Sequence, residues 1–143
     1  MSLLTNFESY IKTRSYAERI SISSSGGISF NSTVVERLGL TKYSYASFFY
    51  NRNNGFVGVK FGNQETPDSY HFIPKKNADG KFAIYLSIKG FVMSYNIVPS
   101  GNIRKYAIEN YGKNGDDLEV VLKPIKQEVE LENIKQEESN ENH

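Results

Sequence analysis

Few side chains in this sequence could do covalent chemistry. The only histidines are His71 and His143, and there is no cysteine. One chain therefore cannot assemble a histidine-based triad, a multi-histidine metal site, a thiolate nucleophile or a cysteine zinc site. Asp116, Asp117 and Glu119 cluster in a predicted hairpin, but turns favour Asp for backbone reasons and the oxygen-ligand spacing of a calcium loop is missing. The glycine-containing turns GGI, NNGFVG and KNGDD have neither a phosphate-loop lysine nor a long helix behind them. These features imply a non-enzymatic protein with no cofactor, no bound metal and no small-molecule substrate.

Cations and aromatic rings offer more. Lys12, Arg14 and Arg19 precede the first predicted strand, Lys75 and Lys76 end a strand at a turn, and Arg104 and Lys105 open another strand. Lys42, Lys81 and Lys89 fall near element ends. Cations with this reach are what phosphate contacts require. Tyr16, Tyr43, Tyr45, Tyr50, Tyr85 and Tyr106 lie among them and would stack on bases if a sheet exposed them; the alternative is that they are amphipathic sheet residues with hydroxyls in water. Residues 1–124 carry 15 Lys and Arg against 10 Asp and Glu, whereas residues 125–143 carry Lys126 and Lys135 against six Glu. A basic body with an acidic tail points to a polyanion partner and a competing tail, or to an ordinary surface with a solubilising end.

The elements that must hold these residues follow from periodicity. Residues 1–19 place Leu3, Leu4, Phe7, Tyr10 and Ile11 at helical spacing, which predicts a short amphipathic helix. From Ile20 the period becomes two: Ile20 and Ile22, a Ser-Ser-Gly-Gly turn, then Ile28 and Phe30 make a hairpin. Asn31 or Ser32 caps a two-turn helix with Val34, Val35 and Leu38 on one face and Gly39 as its left-handed end. Tyr45–Asn51 is aromatic on both sides and is expected to be covered on both. Asn54-Gly55 signals the hairpin to Val57, Val59 and Phe61.

After the polar linker 62–69 the plan repeats. Tyr70–Lys75 is a predicted strand, Asn77-Ala78-Asp79-Gly80 a turn, and Phe82, Ile84 and Leu86 face inward. Ser87 is the expected cap of a helix with Ile88, Phe91, Val92 and Tyr95 on one face, ended by Asn96. Arg104–Tyr111, a Gly-Lys-Asn-Gly turn and the inward set Leu118, Val120 and Leu122 complete the second half, and Pro124 closes the domain. The fold class is mainly β with short helices (α+β): one β-rich domain, 20–124, whose halves 20–61 and 70–123 pair into a barrel that leaves no sheet edge. Residues 125–143 read as an acidic, disordered tail in which IKQE occurs twice, matching the attachment consensus for a small ubiquitin-like modifier at Lys126 and Lys135 in a eukaryotic setting.

GGISF, VERLGL and GVKF, set in the order strand, capped helix ending in LGL, strand, hairpin and strand, resemble the swapped-hairpin barrel half of AbrB and MazE type DNA-binding proteins. The likeness covers about Ile20–Phe61, the second half follows it in pattern, and the whole chain resembles uncharacterised prokaryotic and phage proteins of the same plan. The chain has SSSGG and FNST where those regulators carry a basic DNA-contacting segment and a proline-led helix. The resemblance implies a pseudo-dimer that meets duplex DNA with approximate two-fold symmetry. Two other readings stay open: a single-strand or RNA binder with several tyrosines along a basic groove, and an assembly protein of a phage or mobile element that self-associates. With no secretory pattern at its start and no apolar run of membrane-spanning length, the chain is expected to be soluble and cytoplasmic.

Overall fold

The alternation of Ile20, Ile22, Ile28 and Phe30 with Ser and Gly has a direct structural result, since all four apolar side chains are buried. They belong to β1 (Ile20–Ser23) and β2 (Gly27–Phe30), an antiparallel pair with Ile22 opposite Ile28. The computed structural model describes Leu3, Thr5, residues 17–99 and residues 101–125. The predicted N-terminal helix, Lys12, Arg14 and Tyr16, and the tail from residue 126 lie outside the described residues.

Helix α1 (Ser32–Leu38) begins and ends as its sequence dictates. The Asn31 Oδ1 accepts from the Val34 amide at 3.2 Å, and Gly39 takes the left-handed conformation with φ 63°. Val34, Val35 and Leu38 bury the helix face against β7. A 3-10 turn (Leu40–Lys42) leads into β3 (Tyr45–Tyr50), and the loop Asn51–Phe56 returns the chain to β4 (Val57–Gly62). Val57, Val59 and Phe61 are buried as the alternation requires. The Phe61 ring packs edge-on against Phe30 and Phe72, with centroids 5.7 and 5.8 Å away.

The second half departs from expectation in several places. The strand predicted from Tyr70 to Lys75 is interrupted: β5 is Tyr70–His71 and β6 is Lys75–Lys76. Pro74 between them has no amide to donate, and Phe72 turns into the core. β7 (Phe82–Ser87) retains Ser87, so α2 (Lys89–Tyr95) starts after Ile88 with no side-chain cap, contrary to the expected role of Ser87. β8 (Ile103–Asn114) runs through the predicted Gly-Lys-Asn-Gly turn, and the reversal into β9 (Asp117–Pro124) falls at Gly115–Asp116. Phe49 and Phe82 are exposed, because the sheet has one core and Phe49 sits on the far face while Phe82 sits at the end of its strand.

The strands form a curled antiparallel sheet, a half-barrel, in the order β5-β3-β4-β9-β8-β1-β2-β7-β6. Residues 70–76 thus supply both ends of the order, β5 beside β3 and β6 beside β7. A bulge between Ile108 and Asn110 shifts the β8–β9 register by one and turns the end of β8 off the core, leaving Tyr111 half exposed beneath the Arg37 guanidinium, 5.2 Å from its ring centre. Among the described residues no helix is long and apolar enough to cross a membrane.

Candidate nucleic-acid interface

The outward positions of β1 and β2 are small because the sequence alternates Ile and Phe with Ser and Gly. Their cross-strand partners extend one row across four strands: Tyr85 on β7 faces Ser29, Ser29 faces Ser21, and Ser21 faces Lys105 on β8. The two serine hydroxyls share a hydrogen bond of 2.9 Å. Tyr85 is 70% exposed and lies over Gly27, where a Cβ would fall 2.3 Å from its hydroxyl oxygen. Lys75, opposite Ala83, points to the same side, as does Arg19, whose carbonyl accepts from the Asn31 amide. At about 4.8 Å per strand, Lys75 and Lys105 stand roughly 19 Å apart across four spacings. Residues 19–35 and 80–108 contain no Asp or Glu but contain Arg19, Lys81, Lys89, Arg104 and Lys105.

This face is closed at one end by contacts between its turns. The Ile88 amide donates to the Gly26 carbonyl at 2.6 Å, and the Ser24 amide donates to the Asn102 carbonyl at 3.0 Å. The Ser24 hydroxyl accepts from the Gly101 amide at 3.0 Å. Lys89, the first residue of α2, therefore stands at the β1–β2 turn and is exposed. The structure thus unites Arg19, Lys75 and Lys105 on one outward face, with Lys89 at its border. Alternation sends Lys76, opposite Phe82, and Arg104, opposite Ile22, to the other side.

The tyrosines divide by environment. Tyr43 and Tyr106 are buried. Tyr45 leans on the His71 ring at 5.3 Å, and Tyr50 on Tyr95 at 5.3 Å. Of the six interleaved tyrosines, among the described residues only Tyr85 presents a ring to solvent on the cationic face. Burial pushes the Tyr106 phenol up to about 12, with Arg104 pulling it the other way. Its hydroxyl has no hydrogen-bond partner among the described residues.

Elsewhere, Asp117 pairs with Lys60 at 3.5 Å across the sheet, beside an open cavity of about 620 Å³ bordered by Lys42, Asn63, Gln64 and Lys113. No cluster of three metal-ligating side chains occurs among the described residues. His71 is exposed on the strand surface, where its sequence position puts it. A feature that sequence reasoning missed is a groove between β3, residues 67–70 and α2, lined by Phe48, Phe49, Tyr70, Phe91 and Tyr95 together with Asp68, Pro67 and three serines. Its signal was the density of rings in 45–50 and 91–95, which reads as core until the two elements are seen side by side. No family model, curated protein or solved structure matches the chain.

Proposed function

We propose that the chain is a non-enzymatic nucleic-acid-binding protein, a small regulator of the AbrB type that meets duplex DNA through the outward face of β6, β7, β2, β1 and β8. The observation that carries this reading is charge segregation. Arg19, Lys75 and Lys105 share the outward side of these strands with Tyr85, and residues 19–35 and 80–108, joined by the β1–β8 and β2–β7 ladders, contain no carboxylate, a balance that favours phosphate contacts. A duplex reader needs its cations on one face, and Arg19, Lys75 and Lys105 meet that need. A single-strand binder needs several free rings, and Tyr85 alone is free on that face.

A pseudo-duplicated, swapped-hairpin barrel accounts for the strand pairing. Exchanging β1, β2, β3 and β4 for residues 70–76, β7, β8 and β9 carries each observed ladder onto another: β1–β2 onto β6–β7, β3–β4 onto β8–β9, β1–β8 onto β5–β3, and β2–β7 and β4–β9 onto themselves. Both helices have seven residues, and each ends in a left-handed cap, Gly39 or Asn96. A second reading, an assembly protein that self-associates, draws on the exposed Ile73, Tyr85 and Ile103, which lie in or next to the cationic strands.

Fluorescence anisotropy of labelled random duplex and single-stranded DNA tests the proposal. Three phosphate contacts give a slope of about −2.7 in log affinity against log salt, an approximately 40-fold loss between 50 and 200 mM. Lys75→Glu with Lys76→Glu should weaken binding to all duplexes alike and flatten that slope by about one. No binding at low salt, or binding untouched by the double substitution, overturns the role of this face. Reversible self-association in sedimentation, without DNA binding, favours the second reading.

A further inference from the structure

Asparagine followed by glycine occurs twice, at Asn54-Gly55 and Asn114-Gly115. Both pairs lie in turns between antiparallel strands, the first joining β3 to β4 and the second β8 to β9. In such a pair the glycine amide nitrogen is a latent nucleophile next to an electrophilic carboxamide, and no Cβ on the glycine shields the approach. The fold treats the two pairs differently. In the β3–β4 turn both reacting groups are engaged: the Asn54 Oδ1 accepts from the Phe56 amide at 2.9 Å, and the Gly55 amide donates to the Asn51 carbonyl at 2.8 Å. In the β8–β9 turn neither is. Asn114 lies opposite Asp117 at the end of the ladder, but its carboxamide and the Gly115 amide have no hydrogen-bond partner among the described residues. The Asp117 carboxylate is turned elsewhere, for a Cβ on Gly62 would lie 2.6 Å from its Oδ1 and its Oδ2 meets the Lys60 ammonium at 3.5 Å. A Cβ on Gly115 would meet nothing within 4 Å, and both residues form part of the wall of the open cavity of about 620 Å³. A ring has space to close there, and water has access.

We propose that Asn114 is a modification site, converting spontaneously to aspartate and isoaspartate in the folded protein while Asn54 is preserved. The Gly115 amide gives its proton to a solvent base, and its nitrogen bonds to the Asn114 Cγ as the Cγ–Nδ2 bond breaks. Nδ2 takes up a proton and leaves as ammonia, and a five-membered cyclic imide remains. Water then adds to one of the two imide carbonyls. Cleavage of the new bond to Cγ gives aspartate, whereas cleavage of the bond between the Gly115 nitrogen and the Asn114 main-chain carbonyl carbon gives isoaspartate. Water is the co-reactant, and nothing is oxidised or reduced. Either product sets a third carboxylate beside Asp116 and Asp117 on the wall of the cavity that Lys42 and Lys113 also border. Isoaspartate in addition puts a methylene into the backbone between Lys113 and Gly115, so the Asn114–Asp117 pair loses its register and the turn loosens. The change is local. Asn114 and Lys105 lie toward opposite ends of β8, roughly 30 Å apart at about 3.3 Å per residue.

This inference is independent of nucleic-acid binding and is read in the full-length protein held in mildly alkaline buffer. After digestion, mass spectrometry of the peptides that span the two pairs follows the exchange of ammonia for water, and chromatography separates aspartate from isoaspartate. Asn114 should convert at least about tenfold faster than Asn54, because two hydrogen bonds must open before Asn54 can react. In concentrated urea the two rates should converge, since the fold alone separates them. Equal rates in the folded protein overturn the proposal, as does faster conversion at Asn54 or no conversion at Asn114. A difference that persists undiminished in urea also overturns it, because neighbouring side chains and not the two turns would then set the rates.

Discussion

Replacing Gly26 by alanine should cost more than the same change at Gly55, and the difference measures how firmly the β1–β2 turn is joined to α2. Both glycines have positive φ, 98° and 75°. That conformation costs an L-residue roughly 1–2 kcal/mol. At Gly55 the added methyl would meet its nearest atom at 3.9 Å, an ordinary contact, so the strain acts alone at about 1 kcal/mol. At Gly26 the methyl would sit 2.5 Å from the Lys89 Cα and 2.7 Å from its Cβ. Backbone there has to move, and the first casualty is the 2.6 Å bond from the Ile88 amide to the Gly26 carbonyl, about 1 kcal/mol. With the same strain of about 1 kcal/mol, the total is about 2 kcal/mol. At about 4 °C per kcal/mol, thermal unfolding followed by circular dichroism should fall by about 8 °C for Gly26→Ala and about 4 °C for Gly55→Ala. Equal shifts would refute the reasoning, since they would mean that the turn and α2 separate freely and that Lys89 is not held at the edge of the cationic face.

Other substitutions probe separate links. Asn31→Ala removes the α1 cap together with bonds to the Arg19 amide (3.1 Å) and the Ala17 carbonyl (2.7 Å), and should lower stability by about 2 kcal/mol in urea with an unchanged denaturant slope. A loss below about 0.5 kcal/mol would show that Asn31 does not anchor the chain ahead of β1. Tyr106→Phe should be neutral or stabilising at pH 7, because it deletes a buried hydroxyl that has no partner among the described residues. Its effect should grow in alkali. With the folded-state phenol raised to about 12, the unfolded chain releases its proton first, near pH 10, so the unaltered protein loses stability as pH rises from about 10 to 12. The phenylalanine variant should escape that loss, roughly 2 kcal/mol. Parallel stability–pH curves for the two proteins would contradict the shift.

Strand alternation made much of the architecture legible in the sequence. Ile20, Ile22, Ile28 and Phe30, then Val57, Val59 and Phe61, then Leu118, Val120 and Leu122 all face the core as their period of two requires. Asn31 and Gly39 bracket α1 through local hydrogen bonding and local φ, which need no tertiary information. The misreadings were non-local. Ser87 stays in the sheet because β7 extends to pair with Gly27, and that ladder outcompetes a cap. Tyr70–Lys75 breaks because its two ends serve opposite edges of the strand order, a demand imposed by β3 and β7 rather than by the segment itself. Phe49 and Phe82 are exposed for want of a second layer at their positions, which hydrophobicity alone does not reveal.

The candidate site divides the same way. Which residues are cations, which stretches lack carboxylates and which positions alternate with serine are properties of the chain. That Lys75 and Lys105, thirty residues apart, share a face with Tyr85 while Lys76 and Arg104 turn from it depends on register across five strands, and register is a tertiary outcome. The sequence by itself determined the short-range periods, the caps and the charge composition, because each arises from interactions within a few residues. Only the tertiary structure decided which strand borders which, which tyrosine stays in solvent and which cations share a face, because those follow from long-range pairing whose free energy no local segment contains.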